Sequence, residues 1–146
     1  MILEEKSTMF VYCQKSGEFW RVNGLGETAG DAISDTGMYG TLLGKGYSGR
    51  NEGRNNPELQ AVHNVGPLPR GPYTIGPAEL HPVLGPVAMP LTPEDGNQMF
   101  GRGDFWIHGD NATHDASHGC IVIDRDVRQH VAGNVADLNN HLLVME

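Results

Sequence analysis

The sequence predicts a mainly-β domain with one short helix and long Gly- and Pro-rich loops. Three observations carry this reading. Glycine (20) and proline (9) recur through 146 residues without a regular period, which favours turns and short strands over a bundle or collagen. Apolar residues gather in short runs of strand length rather than in long stripes. Only Val127, Val131 and Val135 fall at helical spacing. The length suits one domain spanning residues 1–146, able to bury about two-thirds of its unfolded surface.

The elements follow in order. Residues 8–13, rich in Met, Phe, Val and Tyr, read as a strand. Lys15-Ser16-Gly17 is turn chemistry, and residues 18–22 return as the second arm of a hairpin. Residues 38–43 suit a third strand, and the Gly- and Asn-rich stretch 46–57 a long loop. Gly66 to Pro72 is a rigid turn before a short strand at 73–75. Prolines through residues 80–93 imply an extended, irregular excursion. Phe105-Trp106-Ile107-His108 and Cys120-Ile121-Val122-Ile123 are compact strands flanking a polar loop. Asp124 then suits a helix N-cap, Gly133 the helix stop, and residues 141–145 a final strand.

Composition excludes several classes of function. The formal charge is −8, from 18 acidic and 10 basic residues, with no Lys/Arg run, so nucleic acid is a poor partner. No apolar stretch approaches the ~20 residues of a membrane span, and no membrane insertion is expected. Residues 1–8 carry Glu and Lys and lack an apolar signal core, so a soluble chain without the usual secretion signal is expected. Two cysteines, Cys13 and Cys120, are too few for a disulfide scaffold.

The chemistry concentrates between Trp106 and Asp124, where three His, three Asp, one Ser and one Cys lie between two apolar strands. A free thiol, with pKa ~8.5, is only a few per cent ionised at neutral pH and needs a base to become a good nucleophile. His108 ends one strand and Cys120 starts the next, so adjacent strands would bring them together. Gly119 allows a sharp turn that presents the thiol, and amides near Gly119 and Cys120 would form an oxyanion hole. His118 is expected in support. Asp110 and Asn111 either bind substrate or build the turn. A site for zinc-dependent hydrolysis from His108, His114, His118 and Cys120 is the rival reading. A catalytically inactive binding module is another.

At these residues the chain resembles the L,D-transpeptidase catalytic domain of YkuD type, whose pattern is His-Gly followed by Ser/Thr-His-Gly-Cys and an apolar residue. The resemblance implies a compact β-sandwich or barrel, with Cys120 as nucleophile and His108 as general base. It also implies that the Gly109 carbonyl orients the imidazole and that Ser117, His118 and Gly119 complete the motif. Two departures are visible: the spacing from His108 to Ser117 is short, and Val122 and Asp124 stand where the family often has Arg and Asn.

Both departures resemble the type VI secretion L,D-transpeptidase effectors. The match extends to Gln14 and Ser16-Gly17, Gly46-Tyr47-Ser48-Gly49, Asn55-Asn56-Pro57, the run Gly66 to Gly76, Ile107 to Asn111, and Arg128. That branch implies a toxin that edits peptidoglycan stem peptides without a cofactor. Tyr47, Ser48, Gly49 and Arg128 would be wall-binding residues. An immunity protein and secretion components are the expected partners. Such a chain is made in the cytoplasm, secreted, and active in the periplasm of a target bacterium.

Overall fold

A computed structural model of the chain describes residues 8–23, 30–34 and 36–146. The Glu- and Lys-bearing residues 1–7, read above for signal character, lie outside them. The described elements are β1 (Thr8–Cys13), β2 (Glu18–Asn23), β3 (Asp31–Ala32), β4 (Tyr39–Lys45), β5 (Tyr47–Ser48), β6 (Gly71–Ile75), β7 (Glu79–His81), β8 (Gly85–Pro93), β9 (Phe105–His108), β10 (Ile121–Val122), α1 (Arg125–Ala136) and β11 (His141–Met145). The fold is mainly β with one helix. Its strands run in the order β3-β4-β2-β1-β11-β6-β8-β9-β10-β5, with β7 paired to β8. Two neighbouring pairs are parallel, β1 with β11 and β9 with β10.

Period-two alternation sorts side chains to the two sheet faces. Phe10 and Tyr12 of β1 and Leu142 and Val144 of β11 enter the main core, which also takes Tyr73, Ile75, Met89, Ile107 and Ile121. The alternate residues Val11 and Cys13 join Trp20, Val22 and Ile33 in a smaller cluster, with Leu143 and Met145 against it. Helix α1 covers the main core with Val127, Val131 and Val135, each buried side chain contributing roughly 1.5–3 kcal/mol.

The structure departs from the sequence reading in four places. The third strand runs to Lys45 and is preceded by β3, two residues too short to leave a periodic signal. The loop 46–57 contains β5, which pairs with β10. The stretch 80–93 belongs to a hairpin of β7 and β8, extended as expected and with a register shift between Glu79 and His81, but paired into the sheet rather than lying outside it. Pro86 and Pro93 lie near the ends of β8, and Pro90 lies between the ladder to β7, last paired at Ala88, and the ladder to β6, first paired at Leu91. These are positions where a missing N–H disturbs a sheet least. Finally, α1 passes through Gly133 to Ala136. Burial of Val135 outweighs the ~1 kcal/mol that a helical glycine costs.

Candidate active site

Parallel strands need a crossover of about a dozen residues, and between β9 and β10 that crossover is the polar loop 109–120. The register sets Ile107 opposite Ile121 and His108 opposite Val122. Phe105, Ile107 and Ile121 face the main core, so alternation turns Trp106 and His108 to the other face. Cys120 immediately precedes β10, and its Sγ accepts the Trp106 N–H at 3.3 Å. The adjacency expected of the two strands is therefore present, and the thiol lies against the strand that carries His108.

His108 is 2% exposed. Its Nδ1 lies 2.8 Å from the Gly109 carbonyl oxygen. A carbonyl can only accept, so Nδ1 carries the proton and Nε2 presents a lone pair. That Nε2 is buried and has no hydrogen-bond partner. Burial pushes the imidazole below its ordinary pKa, and the Arg128 and His81 charges add to this, while the Gly109 bond and Asp110 oppose it. The ring is thus held neutral with an unengaged base nitrogen.

Cys120 is half-buried, and Cys13 is a separate, buried free thiol on β1. Burial pushes the Cys120 thiol up to about 11, reinforced by Asp104 and opposed by the Trp106 N–H and Arg102. Both members of the pair are consequently neutral in the free protein. The thiol ionises only when its proton has an acceptor.

Two serines set the backbone around the thiol. Ser117 Oγ donates to the Cys120 carbonyl (2.6 Å) and accepts the N–H groups of Gly49 (2.8 Å) and Gly119 (3.0 Å). Ser48 Oγ donates to the Gly119 carbonyl and accepts the Leu68 N–H, each at 2.8 Å. Gly119 has φ +131°, and a Cβ there would lie 2.5 Å from both Arg102 Nη2 and Phe105 Cε1. The Gly119 N–H is committed to Ser117, which removes it from the oxyanion hole anticipated above. The Cys120 N–H takes no part in the serine network.

The residues expected to bind the wall are placed unevenly. Ser48 is fully buried, with its hydroxyl committed as described, so it braces the loop rather than meeting a ligand. Tyr47 is buried too; its hydroxyl donates to Asp110 Oδ1 (2.5 Å) and accepts the Ala116 N–H (2.9 Å). Burial works to raise the Asp110 pKa, yet hydrogen bonds from Tyr47, His114 and Asn111 hold it below the ordinary value. Asn111 bonds Asp115, so Asp110 and Asn111 both build the loop. Arg128 is 7% exposed and donates to the carbonyls of Ile123, Pro86 and Val87. A Cβ on Gly109 would come within 2.8 Å of its Nη2, so Arg128 props the residue that orients His108.

Three further arginines carry no local sequence signal. Arg50 donates to His118 Nε2 at 2.9 Å, Arg54 lies 3.7 Å over the Tyr47 ring and donates to the His114 carbonyl, and Arg102 is buried. Each is recruited by residues far along the chain, which no spacing rule reveals. His118 is exposed and paired with Arg50, and His114 is paired with Asp110 at 2.8 Å. The four ligands of the zinc reading therefore point to different partners. Among the described residues no three His, Cys, Asp or Glu side chains converge as a metal site.

No curated protein matches the chain. Among solved structures it is similar to the helical cell shape determining protein Pgp2 from Campylobacter jejuni, at 18% identity and a TM-score of 0.54, over 95% of this chain and 46% of that one. It also matches L,D-transpeptidase 3 from Mycobacterium tuberculosis, at 18% identity and a TM-score of 0.49, over 96% of this chain and 61% of that one. The chain thus spans about half the length of the structures it matches. At such identity the likeness to Pgp2 is one of fold. The sequence relationship goes further than fold: the model of the Tlde1 domain matches residues 44–145, and the chain belongs to that family.

Proposed function

We propose that the chain is a cysteine-nucleophile, peptidoglycan-modifying enzyme of L,D-transpeptidase type, acting on tetrapeptide stems as an L,D-carboxypeptidase or exchange enzyme. The observation that carries this is the neutral His108 ring, its Nδ1 tied to Gly109 and its Nε2 unengaged, on the strand beside Cys120. Membership of the Tlde1-domain family and the His-Gly and Ser-His-Gly-Cys motif support it further.

In this reading substrate draws the thiol away from the Trp106 N–H and toward His108 Nε2. Nε2 takes the thiol proton as Sγ bonds to the carbonyl carbon of the L-centre before the terminal D-alanine. The Cys120 N–H is the amide left to meet the developing oxyanion. The carbon–nitrogen bond then breaks, the His108 proton passes to the departing amine, and a thioester remains on Cys120. Water, or the amine of a D-amino acid, attacks the thioester while His108 accepts its proton. The thiol is regenerated with a trimmed or exchanged stem.

The same reading makes the chain a toxin delivered to the periplasm of a rival bacterium by a type VI machine, with an immunity protein as its natural antagonist. Incubation with tetrapeptide muropeptides followed by mass spectrometry tests the chemistry. Tripeptide or D-amino-acid-exchanged stems are expected from the wild type and none from Cys120→Ala. Normal turnover by Cys120→Ala overturns the proposal.

A further inference from the structure

Arg102 lies on the segment before β9 and is 8% exposed. Its Nη1 donates to the carbonyls of Gln60 (2.5 Å) and Pro67 (2.8 Å), and its Nη2 to those of Gly66 (2.9 Å) and His118 (3.1 Å). The guanidinium carbon also sits 5.2 Å from the centre of the Phe105 ring. One side chain therefore joins the Gly66-Pro67 turn to the backbone that leads directly into Cys120. The near-contact between Arg102 Nη2 and the position a Gly119 Cβ would take shows how closely the cation approaches that backbone.

Main-chain carbonyls satisfy donors, and they do not neutralise a charge. Among the described residues no carboxylate lies within ion-pair distance of Arg102. A buried cation without an anionic partner is costly, and a neutral amide could bridge loops at lower cost. The groups whose charge Arg102 meets are Tyr73, from β6, and Cys120. Tyr73 is buried and donates its hydroxyl to the Pro69 carbonyl, and burial drives its pKa well above the ordinary phenol value, so it stays neutral. Asp104 is the acidic group that acts on Cys120, and it opposes ionisation. Cys120 is left as the neighbour that becomes an anion during turnover.

We propose that Arg102 is the positioning residue of the nucleophile: it clamps the Gly66-Pro67 turn to the His118-Gly119 backbone and supplies the positive charge that the Cys120 thiolate meets. The inference rests on Cys120 being the nucleophile, and it adds a residue that the catalytic motif does not contain. It explains why a buried guanidinium is retained in a site otherwise built from serine hydroxyls and main-chain amides.

The test is the rate of Cys120 alkylation by iodoacetamide as a function of pH, read on Arg102→Gln and Arg102→Lys in a Cys13→Ala background, with Tm measured alongside. Neither variant can rebuild four carbonyl bonds, so both should melt below the parent. Arg102→Gln should be alkylated about threefold to tenfold more slowly at fixed pH, the roughly tenfold loss of thiolate for each unit rise in the thiol's pKa being partly offset by greater intrinsic nucleophilicity. Arg102→Lys, which keeps the charge, should stay within about twofold of the parent. A folded Arg102→Gln with the parent's alkylation profile refutes the proposal and leaves Arg102 as a strut. If Arg102→Gln does not fold, Arg102→Met takes its place as the uncharged variant: alkylation slowed at least about threefold while Arg102→Lys keeps the parent's profile upholds the proposal, and the parent's profile in Arg102→Met overturns it. Alkylation requires no peptidoglycan substrate. A mistaken substrate would therefore show as absent turnover with the alkylation difference intact.

Discussion

Replacing Gly119 with alanine tests the geometry of the nucleophile loop most directly. At φ +131° an L-residue is held in a sparsely populated region, at roughly 1–3 kcal/mol. The new methyl would also lie 2.5 Å from Phe105 Cε1 and from Arg102 Nη2. Neither neighbour yields easily, since Phe105 is buried in the core and Arg102 holds four carbonyls. Overpacking of that kind adds roughly 1–3 kcal/mol. The total is about 4 kcal/mol, and at ~3 °C per kcal/mol for a chain of this size Tm should fall by about 10 °C. Circular dichroism melts of Gly119→Ala beside His118→Ala, an exposed neighbour, provide the comparison. Activity should fall with it, because Ser48 and Ser117 hold the Gly119 and Cys120 carbonyls, the first of them in the Gly119–Cys120 peptide itself. A Gly119→Ala protein melting within about 2 °C of the parent, a margin set by the precision of such melts, refutes the reasoning.

Ser48→Ala strands the Leu68 N–H and the Gly119 carbonyl without their hydroxyl partner and should cost about 2–4 kcal/mol by chemical denaturation; an unchanged midpoint would show that water replaces the hydroxyl. In the pH profile of kcat/KM, His108 must be neutral to accept the thiol proton. Because its pKa is depressed, activity should persist below pH ~6.5, the ordinary histidine value, and be lost at more acid pH. The depressed pKa also means the unfolded state binds more protons, so this residue's contribution to stability declines as pH falls through ~6.5 toward the folded value. With the thiol pushed up to about 11, alkylation of Cys120 in the free protein should keep rising beyond pH 9, roughly the range where an ordinary thiol levels off; a plateau by neutral pH would indicate a preformed ion pair. Expression in the cytoplasm of a Gram-negative host should be harmless, whereas fusion to a periplasmic signal should cause swelling or lysis that Cys120→Ala abolishes; equal toxicity from both compartments would defeat the proposed site of action.

Much of this was legible in the chain because it is local. The strands at 8–13 and 105–108 and the valine stripe of α1 declare themselves by period, whereas the adjacency of the His108 and Cys120 strands is decided by the sheet pairing. The motif resemblance likewise points to Cys120, His108 and Gly109 without reference to any distant residue.

What tertiary structure alone decided is how the polar groups of that loop are satisfied. Buried hydroxyls, amides and guanidinium groups bond to whatever the fold brings near, and those partners lie far along the chain. Ser48 meets Leu68 and Gly119, Tyr47 meets Asp110, and Arg102 meets Gln60, Gly66, Pro67 and His118. Residues that look like ligand-binding groups in the sequence, Tyr47 and Ser48 among them, are therefore spent on bracing. An arginine between two glycines becomes the tie between the Gly66-Pro67 turn and the His118 carbonyl. Sequence patterning reports which residues face a core, since burial is repeated along an element with its period. Hydrogen-bond partners across a fold follow no period, so they became visible only when the strands were assembled.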